Sequence, residues 1–263
     1  MPIKAFILDL DGTLIDVFPA YEEAFSYAFR SAGKKYRKGS LERYYGQVDL
    51  EIIRQMLKKD MIDEDVEHIA SVKRGHFLMI VRDYFKILPC AIDLIMALKR
   101  RDIKIAIATS GQRASTDIAI DSLGVRESIT AIVTAQDVKN GKPAPDLFLK
   151  AAEDMKIAPN ECAVVEDSIH GVRAAKSAGM HSIAVYTGKT LKSDLKKESP
   201  DVLVKNLCEL MLHLDGIVNP EVPVVNIPKS KPLDVQSKPK KRKVLKAKKT
   251  KSKHAKSKSR KKS

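Results

Sequence analysis

The sequence predicts an α/β protein, a doubly wound, Rossmann-like parallel sheet core with an inserted all-helical cap domain and a disordered basic C-terminal tail. Three observations carry the prediction. Short apolar runs alternate with helical stretches, the pattern of strands joined by crossover helices. The long interval 17–88, after the first run, holds helical patterns and no convincing strand. Residues 217–263 give up apolar periodicity for scattered prolines and then for lysine, a composition that cannot bury a core.

Residues 5–8, Ala-Phe-Ile-Leu, open the core. A short unbroken apolar run that ends at acids and Gly12 is a strand buried on both faces, delivering a polar loop. Similar runs at 103–108, 162–165 and 182–185, with a fifth candidate at 131–134, extend the sheet. Helical spacing between them is illustrated by Ala174, Ala175 and Ala178. In the inserted interval, Leu50, Ile53 and Leu57 form one helical stripe. Val66, Ile69, Val72, Phe77 and Ile80 form another, with Lys73 as its one charged interruption. Leu88-Pro89 restarts a core helix, with Pro89 expected in its first turn. The implied division is a core of residues 1–16 and 89–216, a helical cap of 17–88 and a tail of 217–263. With 44% apolar residues among 263, the chain can fill one sizeable core and a smaller satellite.

The formal charge of +15 suggests a nucleic-acid binder until it is located along the chain. Residues 217–263 hold 17 of the 48 basic residues and only two of the 33 acids, Glu221 and Asp234. The remaining 216 positions hold 31 of each sign and are neutral. That balance excludes a broadly basic folded surface, so non-specific binding of nucleic acid or another polyanion is confined to the tail. Within the tail, Pro239-Lys-Lys-Arg-Lys-Val244 has the composition of a nuclear import signal. Cys90, Cys162 and Cys208 form no C-x-x-C pair and have no histidine at metal-ligand spacing, so reduced, intracellular thiols are expected. Asp9 arrives too early for a signal peptide, and no uncharged run is long enough to span a membrane. The expectation is an intracellular, cytoplasmic protein without a membrane partner, nuclear where the tail is read as an address.

The chemistry begins at Asp9-Leu-Asp-Gly-Thr-Leu-Ile-Asp16. In extended backbone, residues i and i+2 point the same way, so Asp9 and Asp11 share one pocket at the carboxyl edge of the sheet. One carboxylate can attack phosphorus while the other protonates the departing oxygen. Thr109-Ser110-Gly111 follows the second run and offers hydroxyls and backbone N–H groups to a phosphate. Lys142 lies in Gly141-Lys-Pro-Ala-Pro-Asp146, where prolines stiffen a loop whose cation suits the charge developed in phosphoryl transfer. Glu166-Asp167 follows another strand with hard oxygen ligands of the kind magnesium takes.

Together these segments resemble the haloacid dehalogenase superfamily over about residues 1–210, including the run from Glu166 to Met180. The chain is most similar to the branch holding β-phosphoglucomutase and the sugar-phosphate and phosphoglycolate phosphatases, whose helical cap lies in the same position. The resemblance implies a magnesium-dependent phosphatase acting on a small phosphorylated metabolite through an aspartyl-phosphate on Asp9, with Asp11 as general acid and base. It implies that Mg²⁺ is held by Asp9, the backbone carbonyl of Asp11 and Asp167, with Glu166 assisting. It further implies that Thr109, with Ser110, and Lys142 bind the phosphoryl group, and that Asp16 orders the hinge into the cap. Specificity then falls to cap residues around Tyr45, Gly46 and Gln47.

Other readings fit less well. Gly188-Lys-Thr190 resembles the end of a P-loop, but Ile183 stands where that motif needs glycine. Ser110 lacks the G-x-S-x-G frame of a serine hydrolase. Two alternatives stay open, a phosphomutase and a nucleic-acid-associated protein acting through its tail. Mutases of this branch carry arginine three residues after the cap glycine to grip a second phosphate. Here that position is Asp49, whose charge repels one.

Overall fold

The computed structural model describes residues 2–44, 49–57 and 62–219. Gly46 and Gln47, and the tail from residue 220 onward, lie outside the described residues.

The first apolar run is strand β1, Ala5–Leu8, and it sits near the middle of a six-stranded sheet. After β1 the chain makes a two-residue strand β2, Ile15–Asp16, then helices α1 (Phe18–Ser31), α2 (Asp49–Leu57) and α3 (Asp63–Tyr84). It returns through β3, Lys86–Ile87, which pairs antiparallel with β2. The core resumes with α4 (Ala91–Arg100), β4 (Lys104–Ala108), α5 (Arg113–Leu123), β5 (Ala131–Val133), α6 (Asp146–Met155) and β6 (Cys162–Glu166). It closes with α7 (Ile169–Ser177), β7 (His181–Val185), α8 (Lys192–Lys197), β8 (Val202–Val204) and α9 (Leu207–Val218).

Strand order is β5-β4-β1-β6-β7-β8, all parallel. Successive side chains of β1 enter opposite layers, Ala5 and Ile7 on one face, Phe6 and Leu8 on the other, and all four are buried. That is why the run lacks polar alternation. Leu94, Ile95, Ile120, Leu210 and Leu214 of α4, α5 and α9 cover the Phe6 face, and Phe148, Ala151, Ala174 and Ala175 of α6 and α7 cover the other. The cap has its own cluster, in which Phe25 and Phe29 of α1 meet Ile52, Ile53 and Ile69 of α2 and α3.

Four expectations are corrected. The interval 17–88 does contain a strand, β3, and the core has a sixth strand, β8. Elements of two and three residues are too short to show a period. Pro89 precedes the helix instead of entering it, because Cys90 takes a left-handed conformation (φ 63°) as N-cap and α4 starts at Ala91. Helix α9 continues past residue 216 through Ile217 and Val218, both buried. Each such side chain is worth roughly 1.5–3 kcal/mol of burial, enough to hold two more helical residues. Cys90 and Cys208 are joined in a disulfide across 118 residues, so the expectation of reduced thiols holds for the buried Cys162 alone. Sequence distance hid the pair, since α4 and α9 pack side by side. Closing a loop of that length restricts the unfolded chain by about 4–5 kcal/mol. Reduction should therefore lower the melting temperature of the wild type and leave that of Cys90→Ser unchanged. Thiol titration of the unreduced protein giving three free cysteines would contradict the bond.

Candidate active site

The parallel register builds the site. Leu8 pairs with Ile107 on one side and Val165 on the other, so the next residues, Asp9, Ala108 and Glu166, reach the carboxyl edge together. Asp9 N donates to Val165 O at 3.0 Å, keeping the first acid locked to the sheet. The chain steps outward from β1 to β4 and β5, then crosses back to β6 on the other side. The acids therefore stand at the topological switch point, where open α/β sheets bind ligands.

Lys142 closes this group from above. Its ammonium donates to Asp9 Oδ1 at 2.6 Å, to Glu166 Oε1 and to Ala108 O at 3.3 Å. The three side chains are 6%, 8% and 2% exposed, so water scarcely screens them. Burial acts to lower the Lys142 pKa, but the Asp9 and Glu166 carboxylates outweigh it and hold the group well above the ordinary lysine value. The peptide bond before Pro143 is cis. Glu166 is fixed on its far side, where Oε2 accepts Ser168 N at 3.0 Å and Ser168 Oγ at 2.9 Å. Ser168 in turn caps α7 by accepting Gly171 N at 3.0 Å.

Asp9, Glu166 and Asp167 present carboxylate oxygens that all lie within 4.8 Å of one another, each residue buried. Asp167 Oδ2 is buried with no hydrogen-bond partner, a costly state for a carboxylate unless a cation or proton meets it. Two glycines hold the carboxylate in place. A Cβ at Gly12, which also has φ of 87°, or at Gly188 would run into the Asp167 side chain. Burial first, then Glu166 and Asp9, push the Asp167 pKa well above its ordinary value. Burial and Glu166 push Asp9 up to about 7 against the pull of Lys142. Such a set of hard oxygens in excess over one ammonium fits a divalent cation of the magnesium type.

Asp11 is half-buried, and its carboxylate faces the loop after β4, with Oδ2 standing 3.7 Å from the position of a Cβ on Gly111. Burial pushes its pKa up to about 6, opposed by Lys142 and Lys73. Thr109 is buried, its Oγ1 accepting Gly111 N at 3.0 Å, while Ser110 on the same loop is exposed. Asp16 Oδ1 accepts Phe18 N at 3.0 Å and so caps the helix that leads into the cap, beside the β2–β3 ribbon. The structure thus gathers Asp9, Asp11, Thr109, Lys142, Glu166 and Asp167 at one edge.

Three contributors escaped the sequence reading. Thr187 Oγ1 donates to Gly12 O at 2.6 Å, and Gly188 beside it makes room for Asp167. Both follow β7 at the same carboxyl edge, so the strand-end rule that found Thr109 would have found them. Lys73, passed over as an interruption in an apolar stripe, is buried and acts electrostatically on Asp11. Its one local signal was the break it makes in that apolar stripe, which does not say what partner the charge meets.

The described helices include none long and apolar enough to cross a membrane. Comparison with known proteins agrees with the geometry. Hexitol phosphatase A of Escherichia coli is 37% identical over 195 residues, 70% of this chain and 84% of that protein. Fructose-1-phosphate phosphatase of the same bacterium is 30% identical over 179 residues, 68% of this chain and 94% of that one. The crystal structure of β-phosphoglucomutase from Clostridium difficile superimposes with a TM-score of 0.67 at 25% identity, covering 83% of this chain and 98% of that one. The family model for haloacid dehalogenase-like hydrolases matches residues 6–185, which takes in the acids of β1, the Lys142 loop and the Glu166-Asp167 pair, and the chain belongs to that family.

Proposed function

We propose that this enzyme is a magnesium-dependent phosphatase that hydrolyses a small phosphate monoester, a sugar phosphate or phosphoglycolate-like compound, through an aspartyl-phosphate on Asp9. The observation that carries the reading is the buried group of Asp9, Glu166 and Asp167 around the single ammonium of Lys142. Its relatives include phosphatases named for hexitols and fructose 1-phosphate.

In this reading an Asp9 oxygen bonds to phosphorus as the ester oxygen leaves. Asp11 gives that oxygen a proton, for which a pKa raised to about 6 suits it near neutral pH. Asp11 then takes a proton from water, whose oxygen attacks phosphorus and returns the Asp9 carboxylate and inorganic phosphate. Lys142 spends all three ammonium donors within the protein, and the 3.3 Å bond to Ala108 O is the weakest of them. A phosphoryl oxygen takes that donor over, beside the Thr109 and Ser110 loop. Asp9, Asp167 and the Asp11 carbonyl, with Glu166 behind, would hold Mg²⁺, which would supply positive charge against the carboxylates and the phosphoryl oxygens.

A screen of phosphorylated metabolites with magnesium tests the activity, and a chelator should abolish turnover until magnesium is restored. Full activity after exhaustive chelation would sink the proposal. Metal binding must displace the protons that burial keeps on the carboxyls of Asp9 and Asp167, so affinity weakens as pH falls. A group with a pKa of about 7 weakens binding roughly 20-fold between pH 7.5 and 5.5. Without metal, the raised pKa values of Asp9 and Asp11 favour the folded state below the ordinary carboxylate range, an advantage lost as pH rises through about 6 to 7. Magnesium should therefore raise the melting temperature more at pH 7.5 than at 5.5. An equal rise at both would contradict the assignment of Asp9 as ligand.

The mutase alternative is decided in the same screen by whether a sugar phosphate is isomerised. Asp49 does not repel a second phosphate as a free carboxylate would, because it is paired with Lys73. Against a mutase stands the buried cap cation Lys73, which is already engaged by Asp49. Gly46 and Gln47 remain proposed selectors. For the tail, we propose non-specific polyanion binding through its 17 cations, independent of catalysis. The full chain should be retained on DNA at low salt and released as salt rises, while a chain ending at residue 219 passes through with full activity. Equal retention of both would place binding in the folded part.

A further inference from the structure

The loop that leaves β7 touches three parts of the site with three successive residues. Thr187 Oγ1 donates to Gly12 O at 2.6 Å, across 175 residues of sequence. Gly188 leaves empty the space that the Asp167 carboxylate fills. The Lys189 ammonium stands 4.2 Å from the ring centre of Phe18, the first residue of α1. The first of these contacts bears on Asp11. Asp9 is held directly, by its backbone bond to Val165 and by Lys142. Asp11 lies past the end of β1, and among the described residues none donates a hydrogen bond to its carboxylate. Its aim therefore depends on the turn that carries it. In that turn Gly12 N donates to Ile15 O at 2.7 Å, and Asp11 bridges to Ile15. Gly12 has φ of 87° and no side chain to restrain it, so the peptide that follows must be fixed from outside. Thr187, two residues beyond the end of β7, grips the carbonyl of that peptide and ties it to the sheet edge.

We propose that Thr187 is a positioning residue for Asp11. Its hydrogen bond holds the turn after β1 so that the Asp11 carboxyl meets the leaving oxygen and later the attacking water. Loss of the hydroxyl mis-aims this acid and base, and leaves Asp9 and Lys142 in place because their own contacts hold them. The inference deepens the phosphatase reading and rests on it.

The test compares Thr187→Val, which keeps the shape of the side chain and removes the donor, with Thr187→Ser, which keeps the donor. Two esters are used in magnesium, p-nitrophenyl phosphate, whose leaving group needs little protonation, and the alkyl phosphate that the metabolite screen selects. For Thr187→Val, kcat/KM for the alkyl ester should fall roughly 10- to 100-fold, since a misplaced acid loses much of its contribution to the rate. For p-nitrophenyl phosphate, kcat/KM should change little, because it reports the formation of phospho-enzyme. Its kcat should fall and acid-quenched samples should hold more phospho-enzyme, because Asp11 is also the base for hydrolysis. Thr187→Ser should restore both esters. Melting curves run beside the kinetics show which variants are folded, and Thr187→Ala, which lets water reach Gly12 O, replaces Thr187→Val if that protein unfolds. A hydroxyl with only a structural role lowers the melting temperature and leaves the dependence on leaving group alone. Equal losses on the two esters without extra phospho-enzyme, or wild-type kinetics in the folded variant that lacks the hydroxyl, would overturn this inference and spare the phosphatase reading. Absence of turnover of any ester by the wild type would overturn both.

Discussion

Asp9→Asn should remove turnover of every phosphate ester, by on the order of 10⁴-fold or more, while the protein stays folded. An amide oxygen is too poor a nucleophile to open the ester, and Glu166, the other carboxylate against Lys142, has its second oxygen held by Ser168. The fold should tolerate the change because the amide resembles the protonated carboxyl that burial already favours, with a pKa raised to about 7. Lys142 also keeps Glu166 as its partner. Without metal, the variant should melt no lower than the wild type, and above pH 7 somewhat higher, since the wild type must then keep a buried charge. Thermal melts and phosphate release, measured on the same sample, check both halves. A folded Asp9→Asn protein with near-wild-type turnover would sink the mechanism. Asp11→Asn should be comparably damaging, and with an ester whose leaving group needs little protonation it should let phospho-enzyme accumulate.

Lys142→Met should cost both stability and rate. The ammonium separates two carboxylates that are 8% and 2% exposed, and without it their like charges repel in a medium that barely screens them. Breaking a buried ion pair by removing one partner typically costs about 3–5 kcal/mol. The loss should be largest above pH 7, where both acids would be charged, and smaller at pH 6, where Asp9 takes up a proton. Removing the cation that meets the phosphoryl charge should lower kcat by about 100- to 1,000-fold. Magnesium should recover part of the stability, because it brings positive charge to the same carboxylates, and little of the rate. Melts across pH with and without magnesium, beside single-substrate kinetics, separate the two effects. A wild-type melt at pH 8 would show that Lys142 is not holding the acids together.

The β1 acids, the loop after β4, the Lys142 loop and the Glu166-Asp167 pair were legible in the sequence for one reason. Each lies in the segment that follows a short apolar run, immediately after it or, for Lys142, along the loop after β5, and parallel strands bring such segments to one edge whatever their separation in the chain. The cap was legible by the loss of alternation between residues 17 and 88. What local pattern cannot carry is the identity of partners distant in sequence. Lys73 looked like a flaw in an apolar stripe until α2 supplied Asp49 24 residues away. Cys90 and Cys208 looked solitary until α4 and α9 packed together. Gly188 looked like a fragment of a different motif until its missing side chain proved to be the space that Asp167 fills. The periodicity of a chain records which face of each element is buried, because desolvation acts residue by residue. Which buried charge meets which, and how closely, is settled only when the elements pack, because Coulomb and steric terms depend on distances that one element alone does not contain.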